Sequence, residues 1–160
     1  MSRKRWMGVD LGEARVGLAL SDPELTLAHP AGNIEVAGDY FQALDEVIAQ
    51  VEEAQATRLI IGYPLLLSGQ EGRSAKKAKR WVHALQGRMD EYASSGQLAV
   101  EPPELVLRDE RLTTVSAHRQ LSQAGLDGRL HRPKVDQQSA VVLLQAALDE
   151  HAEATRSDIG

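Results

Sequence analysis

The spacing of apolar residues changes partway along this chain, and that change restricts the fold more than any other feature. Trp6 to Leu11 and Val16 to Leu20 are strand-length apolar stretches, and the four residues between them, Gly12-Glu13-Ala14-Arg15, have the length and the glycine of a hairpin turn. A third strand is expected around Asn33 to Val36, after the breaks at Pro23 and Pro30. From Phe41 onward the period becomes helical: Phe41, Leu44, Val47, Ile48 and Val51 share one face, so Phe41 to Ala54 is predicted to be a helix with its acids outward. Leu59-Ile60-Ile61-Gly62 then reads as a short strand stopped by Pro64.

The second half repeats the alternation. Ala78, Val82, Leu85 and Met89 line a second helix from about Arg73 to Tyr92, and Ser94-Ser95-Gly96 with Pro102-Pro103 mark a loop. Leu105-Val106-Leu107 is the fifth strand and runs into Asp109-Glu110. Thr113 or Thr114 suits the N-cap of a helix over Val115 to Ala124, ended by Gly125, and Gly125 to Pro133 reads as loop. The last predicted helix covers Asp136 to Leu148. Residues 1–150 are expected to form one domain, and residues 151–160 a frayed polar tail. An early meander followed by β and α in alternation gives an α/β fold, a mixed five-stranded sheet of three antiparallel strands and then parallel ones with helices packed on it, because strands reached through helical crossovers are normally parallel. That is the ribonuclease H-like order.

Composition removes several function classes. The chain of 160 residues has no cysteine, which excludes disulfides, thiolate metal sites and cysteine nucleophiles and fits a cytoplasmic protein. The basic start (Arg3, Lys4, Arg5) precedes a run broken by Asp10, Glu13 and Arg15, so neither a signal peptide nor a membrane span is expected. A net charge of -5 argues against indiscriminate coating of nucleic acid. Its distribution is uneven: Arg73, Lys76, Lys77, Lys79 and Arg80 stand with no acid among them, while Asp39, Asp45, Glu46, Glu52 and Glu53 stand with no base. One face can be positive on a negative molecule.

Three short pieces carry acids where metal-assisted phosphodiester hydrolysis needs hard oxygen ligands: Gly8-Val9-Asp10-Leu11-Gly12, Asp109-Glu110-Arg111 and Lys134-Val135-Asp136. Asp10 shares a strand face with Gly8 and Gly12, and glycine within a strand often marks the close approach of a ligand or another backbone. The plainer alternative makes Asp10 the cap of the turn, and another makes this strand-turn-strand the phosphate loop of an actin-like ATPase. Asp109 and Glu110 leave the carboxyl end of a strand, where ligands sit in open α/β sheets. Extended neighbours point oppositely, so one of the two should face Asp10: Glu110 is the favoured ligand, and Asp109 a second ligand or the partner of Arg111. Alternatively, the pair simply favours a following helix N-terminus. Asp136 precedes Ala140, Leu144 and Ala147 on one helical stripe, where an inward carboxylate is costly unless paired or metal-bound; otherwise it is a cap after Pro133.

Arg73, Lys77 and Arg80 recur at i, i+4 and i+7 with Lys76 beside them, forming either a solvated face or a phosphate-binding stripe without base specificity. Lys134 and Arg111 are further candidate phosphate contacts. Tyr63, after strand four, suits either base stacking or the rim of the core. The chain has no Gly-Lys-Ser/Thr phosphate loop, no Gly-x-Ser-x-Gly elbow and no helical pair among its histidines.

Taken together, the chain resembles the YqgF/RuvX family, described as Holliday junction resolvases and pre-16S ribosomal RNA nucleases with a ribonuclease H-like fold. The resemblance spans residues 5 to 148 and rests on Gly8-Val9-Asp10-Leu11-Gly12 with Arg15-Val16-Gly17, Gly62-Tyr63-Pro64 through Gly69 and Glu71-Gly72, Asp109 to Thr114, and Lys134-Val135-Asp136 with Ala140. It implies an endonuclease dependent on Mg²⁺ or Mn²⁺, with Asp10, Glu110 and Asp136 as its acidic triad and branched DNA or precursor rRNA as substrate. Cutting two symmetric strands of a junction would require a homodimer. The chain departs from the family at Leu65-Leu66-Leu67-Ser68, where Asn and Asp tend to precede the glycine, and strand four ends without a carboxylate. The rivals from other classes are a non-catalytic nucleic-acid-binding module in ribosome assembly or transcription, and an actin-like nucleotide-binding fragment.

Overall fold

The computed structural model describes residues 5–112 and 128–159, with side-chain environments in the last helix from residue 139 to 156. Strand β1 (Arg5–Leu11) turns through Gly12 to Arg15 into β2 (Arg15–Ser21), and the turn is closed by the Gly12 N–H donating to the Arg15 carbonyl at 3.1 Å. The third strand, β3 (Ala28–Glu35), starts well before the expected Asn33 and contains Pro30. Proline is tolerated there because β3 is the edge of a sheet ordered β3-β2-β1-β4-β5, so one side of its backbone needs no ladder partner.

Asp39 accepts the Phe41 N–H at 3.0 Å and starts a 3-10 turn, Tyr40–Ala43, which leads into α1 (Leu44–Ala54). Then follow β4 (Ala56–Tyr63), α2 (Arg73–Ser94) and β5 (Glu104–Asp109). β1 pairs antiparallel with β2 and parallel with β4, and β4 pairs parallel with β5, so the mixed ribonuclease H-like sheet is as the order of elements predicts. The predicted helix over Val115 to Ala124 with its threonine caps falls outside the described residues.

The last helix, α3 (Gly128–Ile159), corrects the reading of the C-terminal third. The stretch to Pro133 expected as loop is helical from Gly128, and the expected tail continues the helix to Ile159. Neither end carries an apolar period, so periodicity could not find them; packing of the central turns holds the helix. His151 meets the Trp6 ring edge-on at 5.0 Å, and Glu150 takes both arms of the Arg108 guanidinium at 2.8 Å. No described helix is long and apolar enough to cross a membrane.

Strand alternation divides the core between the two faces of the sheet. Met7, Val9, Leu59 and Ile61 pack against Val47, Ile48 and Val51 of α1 and Trp81, Leu85 and Met89 of α2. Trp6, Ala19 and Ile60 pack on the other face against Ala140, Leu143, Leu144, Ala147 and Leu148 of α3. Gly8 is what lets α3 come so near: a Cβ there would stand 2.8 Å from the Ala140 carbonyl oxygen and 2.9 Å from the Leu144 Cβ. The close approach anticipated beside Asp10 is thus a helix at Gly8 and, at Gly12, the Arg15 carbonyl 2.6 Å from a Cβ position. With His151 at Trp6 and Ala140 at Gly8, α3 runs antiparallel to β1, and its earlier turns extend toward the end that carries Asp10.

Candidate functional site

Asp10 is half-buried near the carboxyl end of β1, two residues beyond Gly8 on the α3 face. Glu110 opens the 3-10 turn Glu110–Leu112 that follows β5. Between their strands lies β4, whose register with β1 ends at Val9↔Ile61 and whose Gly62 pairs with Arg108. Gly62 is therefore the residue over which the two acids must meet, and the Glu110 side chain fills the space of its missing Cβ. A Cβ at Gly62 would overlap Glu110 Oε1 and stand 3.0 Å from its Cδ and 3.1 Å from its Cγ. The Glu110 and Asp10 carboxyl groups are hydrogen-bonded across this gap. Burial raises the pKa of Glu110, the bond to Asp10 lowers it, and the charge of Asp109 raises it again.

Asp109 turns elsewhere. Its carboxylate accepts from the Arg111 N–H at 2.9 Å and from the guanidinium at 2.7 to 3.1 Å, and that bonding to Arg111 lowers its pKa. Of the two roles considered for Asp109, the geometry has it as the partner of Arg111. The guanidinium in turn lies 3.4 Å from the Cβ position of Gly69, whose φ of +87° suits glycine.

The acids share a cleft of about 190 Å³ with Leu11, Glu13, Tyr40, Pro64, Ser74 and Lys77. Lys77 is half-buried there, its ammonium 4.4 Å from the centre of the Tyr40 ring. That ring is fixed by the core: the Trp81 indole N–H donates to the Tyr40 carbonyl at 3.0 Å, and burial pushes the phenol up to about 12, so it stays neutral. Arg73, Lys76 and Arg80 are exposed, whereas Lys79 is bound to Glu71 at 2.7 Å and leaves the free stripe. Tyr63 donates its hydroxyl to the same Glu71, which favours its reading as a rim tyrosine.

Among the described residues no three acids or histidines come together as a metal cluster. The side chains of Asp136 and Lys134 lie outside the described residues, so the geometry unites two of the three expected acids. Sequence reasoning missed Tyr40 and the spacing role of Gly62. The signal for Gly62 is its place as the strand-end glycine before Pro64, but spacing along the chain does not say which side chain fills the gap.

The chain is similar to several known proteins. The curated relatives include proteins named "Putative pre-16S rRNA nuclease" from Bifidobacterium longum subsp. infantis, 59% identical over 92% of this chain and 99% of the relative, and from Rhodococcus erythropolis, 37% identical over 96% and 82%. Among solved structures, RuvC of Thermus thermophilus in complex with Holliday junction substrate aligns with a TM-score of 0.56 over 93% of this chain and 96% of that one, at 12% identity, which shows a shared fold. The model of RuvX, described as Holliday junction resolvase, matches residues 4–150, and the chain therefore belongs to the RuvX family of nucleases.

Proposed function

We propose that this chain is an endonuclease that hydrolyses phosphodiester bonds in structured nucleic acid with the help of Mg²⁺ or Mn²⁺. The observation that carries the reading is the meeting of Asp10 and Glu110 over Gly62. Two carboxylates brought together in a partly buried cleft repel when both are ionised, and a hard divalent cation relieves that repulsion through oxygen ligands of the type it prefers. The donor set therefore fits Mg²⁺ or Mn²⁺, with Asp10 and Glu110 as ligands and Asp136 as the third. Support for Asp136 comes from α3: Ala140 packs on Gly8, the helix runs antiparallel to β1, and residue 136 lies one turn earlier, toward Asp10. A bound ion would stabilise charge on the phosphate and activate a water.

The remaining residues bind and orient. Lys77, braced on Tyr40 within the cleft, holds a phosphate near the acids, and Arg111, braced by Asp109, holds another at the rim. Arg73, Lys76, Arg80 and Lys134 supply backbone contacts without base readout. The substrates suggested by the names of its relatives are branched DNA and precursor rRNA, and a homodimer suits a symmetric junction. We place the enzyme in the cytoplasm, with residues 1–150 as the catalytic unit.

The test is cleavage of labelled four-way junctions and precursor rRNA by the wild type and Asp10→Asn, with and without Mn²⁺. The wild type should cut only with metal, and Asp10→Asn should be slower by on the order of 10³-fold while folding and binding persist. Strong cleavage by the purified variant would remove Asp10 from the mechanism. Binding without any metal-dependent cleavage would favour the non-catalytic module.

A further inference from the structure

The acidic cleft draws its lining from both faces of the sheet. Asp10 follows Gly8 on the face that α3 covers, and Glu110 fills the space at Gly62, which alternates onto the same face as Ile60. Lys77 comes from the other side: it stands on α2, whose Trp81, Leu85 and Met89 cover the opposite face. Its neighbours on the basic stripe are engaged or turned outward, since Lys79 binds Glu71 and Arg73, Lys76 and Arg80 are exposed. Lys77 is half-buried, and its ammonium lies 4.4 Å from the centre of the Tyr40 ring. That ring is held on several sides. Tyr40 is 6% exposed, Phe41 stacks on it at 5.7 Å, and the Trp81 indole N–H donates to its carbonyl at 3.0 Å. An aromatic face fixes an ammonium without cancelling its charge, as a carboxylate partner would.

We infer that Lys77 is a catalytic residue whose ammonium donates a hydrogen bond to the oxygen leaving phosphorus, with Tyr40 as the positioning residue that holds it there. The inference rests on the nuclease reading above. In an in-line displacement the attacking and departing oxygens lie on opposite sides of phosphorus. With the water activated on the side of the acids, the group facing them across the cleft meets the departing oxygen. The water oxygen bonds to phosphorus and yields its proton to solvent; the old phosphorus–oxygen bond breaks, its electron pair stays on the departing oxygen, and solvent returns a proton there. The ammonium stabilises the charge in between, a role that a second ion fills in two-metal sites. This goes beyond holding a phosphate, because such a contact is as strong before the bond breaks as during it, whereas this one strengthens as charge develops.

The experiment compares the four-way junction or precursor rRNA that the wild type cuts in Mn²⁺ with the same strand carrying sulfur in place of the departing bridging oxygen, which the product ends identify. Lys77→Met should cut the all-oxygen strand on the order of 10²-fold more slowly in single turnover, yet come within about threefold of the wild type on sulfur, because a thiolate leaves without help. Lys77→Arg keeps a charged donor and should stay within about tenfold. Tyr40→Phe keeps the ring and should behave as the wild type; Tyr40→Leu should lose roughly tenfold and be restored by sulfur, a restoration that a misfolded protein would not show. In chelator, Lys77→Met should bind the uncut strand within about threefold of the wild type. Undiminished cleavage by Lys77→Met overturns the inference, as does a loss that sulfur leaves unchanged, which would mark a plain phosphate contact. If the wild type cuts neither nucleic acid in Mn²⁺, the nuclease reading fails and this inference with it, a result distinct from failure of the Lys77 role alone.

Discussion

Two hollows flank the sheet, and their charges are arranged in opposite ways. The larger, about 270 Å³, lies under the C-terminal half of α3 and is lined by Trp6, Ile60, Val106, Arg58, Arg108 and Glu150 among others. Its cations are answered: Arg58 binds Glu104 at 2.8 Å and lies 4.5 Å from the Trp6 ring centre, and Arg108 binds Glu150. The smaller, about 190 Å³, sets Asp10 against Glu110 and places Lys77 on a neutral phenol. Volume alone would choose the first hollow. The pairing of two acids chooses the second, because stability gives little reason to bring two carboxyl groups together in a cleft.

The contrast can be broken first at Gly62. Gly62→Ala places a methyl group where the Glu110 carboxylate lies, and displacement of a catalytic group by about 1 Å can cost roughly 10²-fold in rate. We expect cleavage to fall by about that factor with the circular dichroism spectrum unchanged; full activity would mean that Glu110 need not lie over β4.

The paired hollow should answer in the other currency. Arg108→Ala removes a side chain only 12% exposed together with its packing and its hydrogen bonds to the exposed Glu150, so urea denaturation should show a loss of about 1–3 kcal/mol while cleavage stays at the wild-type rate. A large loss of cleavage without loss of stability would place chemistry in the wrong hollow.

The smallest effect sharpens the acid pair. Burial raises the pKa of Glu110 above its unfolded value, so without metal its contribution to stability is complete below the unfolded carboxylate range and is lost as pH rises through the raised pKa. Glu110→Gln should abolish that part of the pH dependence and leave the metal-free protein slightly more stable at pH 7, by a fraction of the Arg108→Ala effect. Thermal melts of both proteins across pH 4 to 8, in chelator, would measure it; parallel curves would show that Glu110 feels no strain.

Strand order and the α1 and α2 spans were legible because each rests on a local period or a turn residue: Gly12 with Arg15 for the hairpin, Val47, Ile48 and Val51 for α1. The ends of α3 were not, since Gly128, Pro133 and the polar turns after Glu150 carry local signals that oppose a helix held elsewhere by packing on Trp6 and Gly8. In the site, Glu110 reaches Asp10 while Asp109 binds Arg111, the divergence that alternation at the end of β5 leads one to expect. Tyr40 stayed hidden because its relation to Lys77 is a contact between distant segments, which no spacing along the chain records.

The central claim is that Asp10 and Glu110 are brought together to hold a divalent cation. Isothermal titration of Mn²⁺ into the wild type, Arg108→Ala and Asp10→Asn tests it most directly. The account predicts saturable uptake by the first two and an affinity at least about tenfold weaker for Asp10→Asn; equal uptake by all three, or none by the wild type, would contradict it.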